Sequence, residues 1–113
     1  MIYKDATVNT EGSTNYTKKN DIDLTFGGTY TISFDLKASS GYTAYGRINK
    51  NGSAFGTERS TTTSVSYVTY SEDLTFSSGD NVQLFIYTSS GGVAYSTNFK
   101  ISANSNPIFS VVL

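Results

Sequence analysis

Cysteine, histidine and tryptophan are absent from this 113-residue chain, and proline occurs once. Without cysteine there is no disulfide framework, no thiol nucleophile and no thiolate metal ligand. Without histidine the Ser-His-acid and Cys-His arrangements of nucleophilic catalysis are excluded, and so is an imidazole metal site. Charge is scarce as well. Eight Lys and Arg stand against nine Asp and Glu, for a formal net charge of −1, and no basic run is longer than Lys18-Lys19. That balance excludes a basic nucleic-acid footprint. No stretch approaches the ~20 apolar residues that span a bilayer, and residues 1–9 lack the apolar core of a secretory leader. The chain as given is therefore expected to be soluble, either unexported or already trimmed. Strong helix formers are thin, with five Leu and three Glu.

In their place stand 33 Ser and Thr, nine Asn, nine Tyr and seven Phe. Thr and the aromatics fit a pleated surface, and Ser, Asn and Gly supply turns. Periodicity agrees with composition. Tyr30, Ile32, Phe34 and Leu36, and again Val82, Leu84 and Ile86, alternate with polar residues at the two-residue period of a half-buried strand. The expected fold is all-β. Its length suits one domain with a single core, and no repeat of 20 to 50 residues is present.

Along the chain, residues 2–8 read as a first strand. A second runs to Phe26, with Ile22, Leu24 and Phe26 on one face. Gly27-Gly28 then leads either into a three-residue hairpin loop that pairs Leu24 with Ile32 or across to a second sheet. Asn51-Gly52 is the clearest hairpin signal and pairs Ile48 with Phe55. Residues 60–64 read as irregular. A long strand follows with Val68, Tyr70, Leu74 and Phe76 on one parity, and Glu72 among them predicts a bulge at residues 71–73 or a sheet rim. A five-residue loop at residues 77–81 pairs Phe76 with Val82. A four-residue loop at residues 89–92 pairs Ile86 with Tyr95, keeping Val93, Tyr95, Phe99 and Ile101 on the core face. Residues 1–102 are thus expected to form one antiparallel two-sheet β-sandwich of about eight strands, jelly-roll-like in its turn spacing. Residues 103–113 are expected to be a linker followed by an apolar strand.

Reactive constellations are few. The abundant hydroxyls lie in no Ser-x-x-Lys or Gly-x-Ser-x-Gly context. The carboxylate pairs Asp21/Asp23 and Glu72/Asp73 could in principle cleave a glycosidic bond, but the first pair occupies a solvated strand face and the second points to opposite faces. Asp80 with Asn81, or Asp21 with Asn20, offers oxygen ligands suited to calcium. No calcium-loop motif accompanies them, and Gly79-Asp80 is accounted for by turn chemistry. Gly27-Gly28 and Gly91-Gly92 precede no helix and make no phosphate cradle. Asn15-Tyr16-Thr17 and Asn51-Gly52-Ser53 match the glycosylation triplet, which arises by chance in such a composition. No catalytic residue, metal or other cofactor is expected.

The suggestive residues are those the core does not use. Gln83, Phe85 and Tyr87 face outward on one strand, and Tyr45, Arg47 and Asn49 on another. Aromatics flanked by Arg and amides serve either a protein interface or a sugar-stacking face, or are covered by a loop. Ile108, Phe109, Ser110, Val111, Val112 and Leu113 form an apolar segment of high β-propensity after Pro107. Such a segment would close the chain's own sheet or complement a neighbouring subunit.

The run Gly28-Thr29-Tyr30-Thr31-Ile32-Ser33-Phe34-Asp35-Leu36, the Asn51-Gly52 turn and Ser78-Gly79-Asp80-Asn81-Val82-Gln83-Leu84 resemble the strand-and-turn grammar of small jelly-roll modules. These modules occur in virion and phage tail proteins, in the C1q and tumour-necrosis-factor-like group, and among carbohydrate-binding modules. The resemblance implies a non-enzymatic structural or adhesion role in a virion or at an extracellular surface. The implied partner is the chain itself, in a homo-oligomer such as a trimer or a larger symmetric assembly. A carbohydrate-binding module with a glycan ligand is the alternative.

Overall fold

A computed structural model describes residues 3–103. Its strands are β1 (Tyr3–Asp5), β2 (Asn9–Glu11), β3 (Thr17–Asp23), β4 (Gly28–Ala38), β5 (Ala44–Lys50), β6 (Ser53–Ala54), β7 (Arg59–Thr61), β8 (Val68–Phe76), β9 (Asn81–Thr88) and β10 (Ala94–Ala103). No helix occurs among the described residues. The first sheet runs β1-β10-β4-β8 with β2 also paired to β10; the second runs β3-β9-β5-β6 with β7 also paired to β5. All pairings are antiparallel. Counting β1 and β2 as one interrupted strand, and β6 and β7 as another, leaves four strands per sheet in jelly-roll order.

The core lies between the sheets. Ile32, Phe34 and Leu36 of β4 and Phe99 and Ile101 of β10 meet Ile48 of β5 and Val82, Leu84 and Ile86 of β9, all essentially inaccessible to water. Each such aliphatic side chain contributes about 1.5–3 kcal/mol by leaving water. The alternation read from β4 and β9 is the alternation between this core and the outer faces.

The Asn51-Gly52 hairpin forms. Both turn residues hold positive φ, 51° and 85°, as a type I′ turn requires. Lys50 pairs with Ser53 and Asn49 with Ala54, while the Phe55 and Gly56 amides both donate to the Ile48 carbonyl at 3.2 and 2.9 Å.

The other expected hairpins are corrected. β3 and β4 lie in different sheets, so the chain crosses at Gly27-Gly28, and Leu24 does not pair with Ile32. β8 pairs with β4 and β9 with β5 and β3. Phe76 therefore meets the Val82 strand across the core, not beside it. β10 likewise joins the first sheet, against β4, and not β9. A short loop spans the ~10 Å between stacked sheets as readily as it reverses a strand, and inward parity is the same in both cases.

Four local expectations also change. Residues 60 and 61 are not irregular: they end β7, paired with Tyr45 and Ala44. The first strand is broken: the Asp5 carboxylate accepts from the Thr7 amide at 2.9 Å, and Val8 is 56% exposed. Phe26 leaves the core face and is 75% exposed, because β3 ends at Asp23. On β10, Ala94 and Ser96 point inward and Tyr95 outward, since a bulge between Thr97 and Lys100 shifts the parity before Phe99. Asn98 sits in that bulge with φ 53°.

Glu72 lies at a rim. β8 is the edge of its sheet and pairs continuously with β4, without a bulge. The half-buried Glu72 carboxylate accepts from the Thr57 amide and hydroxyl, both at 3.0 Å, and Arg59 stands 3.9 Å away. Tyr70 donates to the Ser60 carbonyl at 2.6 Å. Thr57 and the start of β7 thus close this side of the sandwich.

Candidate functional site

β5 and β9 are neighbours at the centre of the second sheet, which sets the outward residues opposite one another: Tyr45 with Tyr87, Arg47 with Phe85, and Asn49 with Gln83. The rings of Tyr45 and Tyr87 stack at 4.2 Å with 6° between their planes. Adjacent strands stand only ~5 Å apart, so parallel rings at this spacing rise edge-on from the sheet. They do not lie flat on it.

Two residues outside the alternation complete the cluster. Tyr16, just before β3, meets Tyr87 at 4.4 Å and 80°, and the Arg47 guanidinium lies 4.2 Å above the Tyr16 ring. Glu58, just before β7, accepts from the Tyr16 hydroxyl at 2.7 Å and from the Tyr87 hydroxyl at 3.3 Å. Neither has a periodic signal in the sequence. Tyr16 belongs to a polar Asn-Tyr-Thr stretch and Glu58 to an irregular segment, and only the tertiary fold brings them over β5 and β9. An aromatic pair of this kind adds about 0.5–1.5 kcal/mol beyond area burial, and a half-buried cation–π contact adds about 1 kcal/mol. The group is rigid.

Its electrostatics follow from the geometry. Burial, and then the Glu58 carboxylate through hydrogen bond and charge, hold the Tyr16 phenol well above the usual range. The Tyr87 phenol is raised by burial and by the charge of Glu58. Both hydroxyls are therefore neutral donors at ordinary pH, serving Glu58. Arg47 donates from Nε to Asn49 Oδ1 at 2.9 Å. Gln83 is turned to structural use and is only 8% exposed; its Oε1 accepts from the Gly52 amide at 2.8 Å, steadying the β5–β6 turn. Phe85 is half-buried between Arg47 on β5 and Lys18 on β3, and Lys18 is paired with Asp21 at 2.6 Å. The face therefore grades from an aromatic end at Tyr45 and Tyr87 to an amide and carboxylate end at Asn49, Gln83 and Asp21.

The remaining candidates are held in local hydrogen bonding. Asn81 donates from Nδ2 to Asp21 and to Asp23, the latter at 2.8 Å. Asn51 donates to Asp80 at 2.9 Å and accepts from the Asn81 amide at 2.8 Å. Asn20 is buried and donates to Asp5 at 3.1 Å. Among the described residues, no three acidic side chains gather as a metal site. Asp73 accepts from Thr31 at 2.6 Å and Glu72 from Thr57, on opposite faces of β8. Ile108, Phe109, Val111, Val112 and Leu113 lie outside the described residues. On the outer face of the first sheet, Lys37 stands 4.9 Å from the Tyr67 ring and 5.0 Å from that of Tyr95. The parity shift in β10 is what puts Tyr95 there.

Searches for relatives add no family to this geometry: no family model matches the chain, and no curated protein is significantly similar to it.

Proposed function

We propose that this chain is a non-enzymatic assembly or adhesion module of the virion or surface-appendage kind. In this reading it binds further copies of itself through the face formed by Tyr16, Tyr45, Arg47, Phe85 and Tyr87. The observation that carries the reading is the edge-on Tyr45–Tyr87 stack braced by Tyr16, Arg47 and Glu58. Its rings are fixed before any partner arrives, so little side-chain entropy remains to be lost on association. Tyr, Phe and Arg are the residues enriched at such contacts. A net charge of −1 sets almost no repulsion between copies.

Sedimentation velocity over a hundredfold range of concentration tests this. The wild type is expected to form a discrete oligomer, and Phe85→Ala or Arg47→Ala to weaken it at least tenfold, as an interface anchor worth more than about 1.4 kcal/mol does. A wild-type chain that stays monomeric throughout overturns the proposal.

Carbohydrate binding is supported by one different feature. Phe85 makes no ring contact among the described residues, and it stands next to Arg47, with Asn49 and Gln83 as the following pair. A half-exposed ring beside the Arg47 guanidinium can stack on a sugar while Arg47 donates to its hydroxyls; the Asn49 and Gln83 amides are buried and engaged within the chain. Glycan-array retention abolished by Phe85→Ala is the outcome this reading requires, and an empty array removes it.

A further inference from the structure

An apolar cleft of about 270 Å³ opens between the sheets at the edge formed by β1 and β3, lined by Tyr3, Ile22, Leu24, Phe26, Tyr30 and Ile101 together with Asp23 and Thr25. Its wall is held firmly. Leu24 donates to the Asp80 carbonyl at 2.9 Å and accepts from the Gly79 amide at 2.8 Å. The Ser78 hydroxyl donates to the Thr25 carbonyl at 2.8 Å, and the Tyr30 hydroxyl to that of Phe26 at 2.6 Å. Phe26 is nevertheless 75% exposed. A large apolar ring on a pinned backbone at the mouth of an apolar cleft marks a contact surface.

We infer that this cleft seats the chain's own segment of Ile108, Phe109, Ser110, Val111, Val112 and Leu113. Four observations choose that occupant. β10 ends at Ala103, opposite Tyr30, and both Tyr30 and Ile101 line the cleft, so the chain leaves the sheet at its mouth. Four residues, 104–107, separate Ala103 from Ile108; the five Cα steps span at most ~18 Å, enough to turn back into the adjoining cleft. The volume lies below the roughly 300 Å³ at which pockets for drug-sized molecules begin and suits a few apolar side chains. Residues 104–113 carry no charge, in keeping with the cleft's apolar lining. Tethered so closely, the segment competes at high effective concentration against the same segment of another copy. This inference is independent of the aromatic face.

The absence of native cysteine makes the test direct. Thr25→Cys is combined in the full chain with Phe109→Cys or Val111→Cys, which share one side of an extended segment. Under mild oxidation at least one pair is expected to form a disulfide within a single chain, running as a monomer on a non-reducing gel and insensitive to tenfold dilution. Linked dimers that vanish on dilution would give the cleft to a neighbour's segment and overturn the inference, as would thiols that remain freely reactive. In a second experiment, Phe109→Asp with Val111→Asp is expected to raise fluorescence of an apolar-surface dye several-fold while near-ultraviolet circular dichroism is unchanged. Dye binding that does not change also overturns it, as does dye binding that rises only on removal of Met1 and Ile2.

Discussion

Gly46 shows how closely the two sheets approach. A Cβ added there would lie 2.8 Å from Phe34 Cε2 and 3.2 Å from its Cζ. Phe34 is itself buried and packs on Tyr70 at 5.9 Å, so its ring has nowhere to retreat. Gly46→Ala is expected to destabilise the fold by about 1–3 kcal/mol, seen as a lower urea midpoint with unchanged slope. Tyr16 carries a different kind of sensitivity. Burial and the Glu58 carboxylate hold its phenol above the ordinary value of 10.0, so the fold favours the neutral form. The resulting stability is complete below the unfolded-state value and is lost as pH rises through the folded-state one. Wild-type stability should therefore decline with pH above about 10 more steeply than that of Tyr16→Phe. Parallel denaturation curves from pH 8 to pH 11.5 for the two proteins would contradict this assignment.

At the scale of the strands, what the sequence discloses depends on how local the signal is. Asn51-Gly52 is legible because two adjacent residues that tolerate positive φ suffice to make the turn. The outward placing of Tyr45, Arg47, Phe85 and Tyr87 follows from parity within single strands, and the structure adds that these strands are adjacent. The hairpins inferred at residues 77–81 and 89–92 fail because parity is blind to whether a loop reverses a strand or crosses to the facing sheet. Tyr95 is misplaced because a bulge at Asn98 has no sequence signature that separates it from any other Asn in a strand. That bulge is testable. Asn98 holds φ 53° and donates from Nδ2 to Asp35 at 2.8 Å. Asn98→Ala is expected to cost about 2 kcal/mol, from the left-handed backbone and the lost charged hydrogen bond. Asn98→Gly keeps the backbone and should cost about half as much. Equal losses in chemical denaturation would mean that the backbone conformation contributes nothing.

Across the described residues, the Asn51-Gly52 hairpin joins β5 to the short β6 within one sheet, whereas every passage from one long strand to the next, from β3 through β4, β5, β8 and β9 to β10, crosses to the other sheet. Native pairings therefore join distant segments, such as β1 with β10 and β4 with β8. Loop closure must be paid in entropy before such contacts form, which places refolding in the millisecond-to-second range of sandwich topologies. Stopped-flow refolding by tyrosine fluorescence measures this directly, and a microsecond phase carrying the full amplitude would contradict it. The cluster of Tyr16, Tyr45, Tyr87, Arg47 and Glu58 belongs to the same scale. Its members come from the segment before β3, from β5, from β9 and from the segment before β7, so the face exists only once the second sheet is complete.

The stacked pair Tyr45 and Tyr87 has an optical consequence. Two nearly parallel phenols 4.2 Å apart couple their electronic transitions, and in a chain with no tryptophan no indole band overlies the result. The near-ultraviolet spectrum thus carries a contribution from this face beside those of the other seven tyrosines, and the difference between wild type and Tyr45→Leu isolates it. Its signal is expected to disappear with loss of fixed side-chain packing even where strand content persists, and to change when a partner or a sugar settles against the rings.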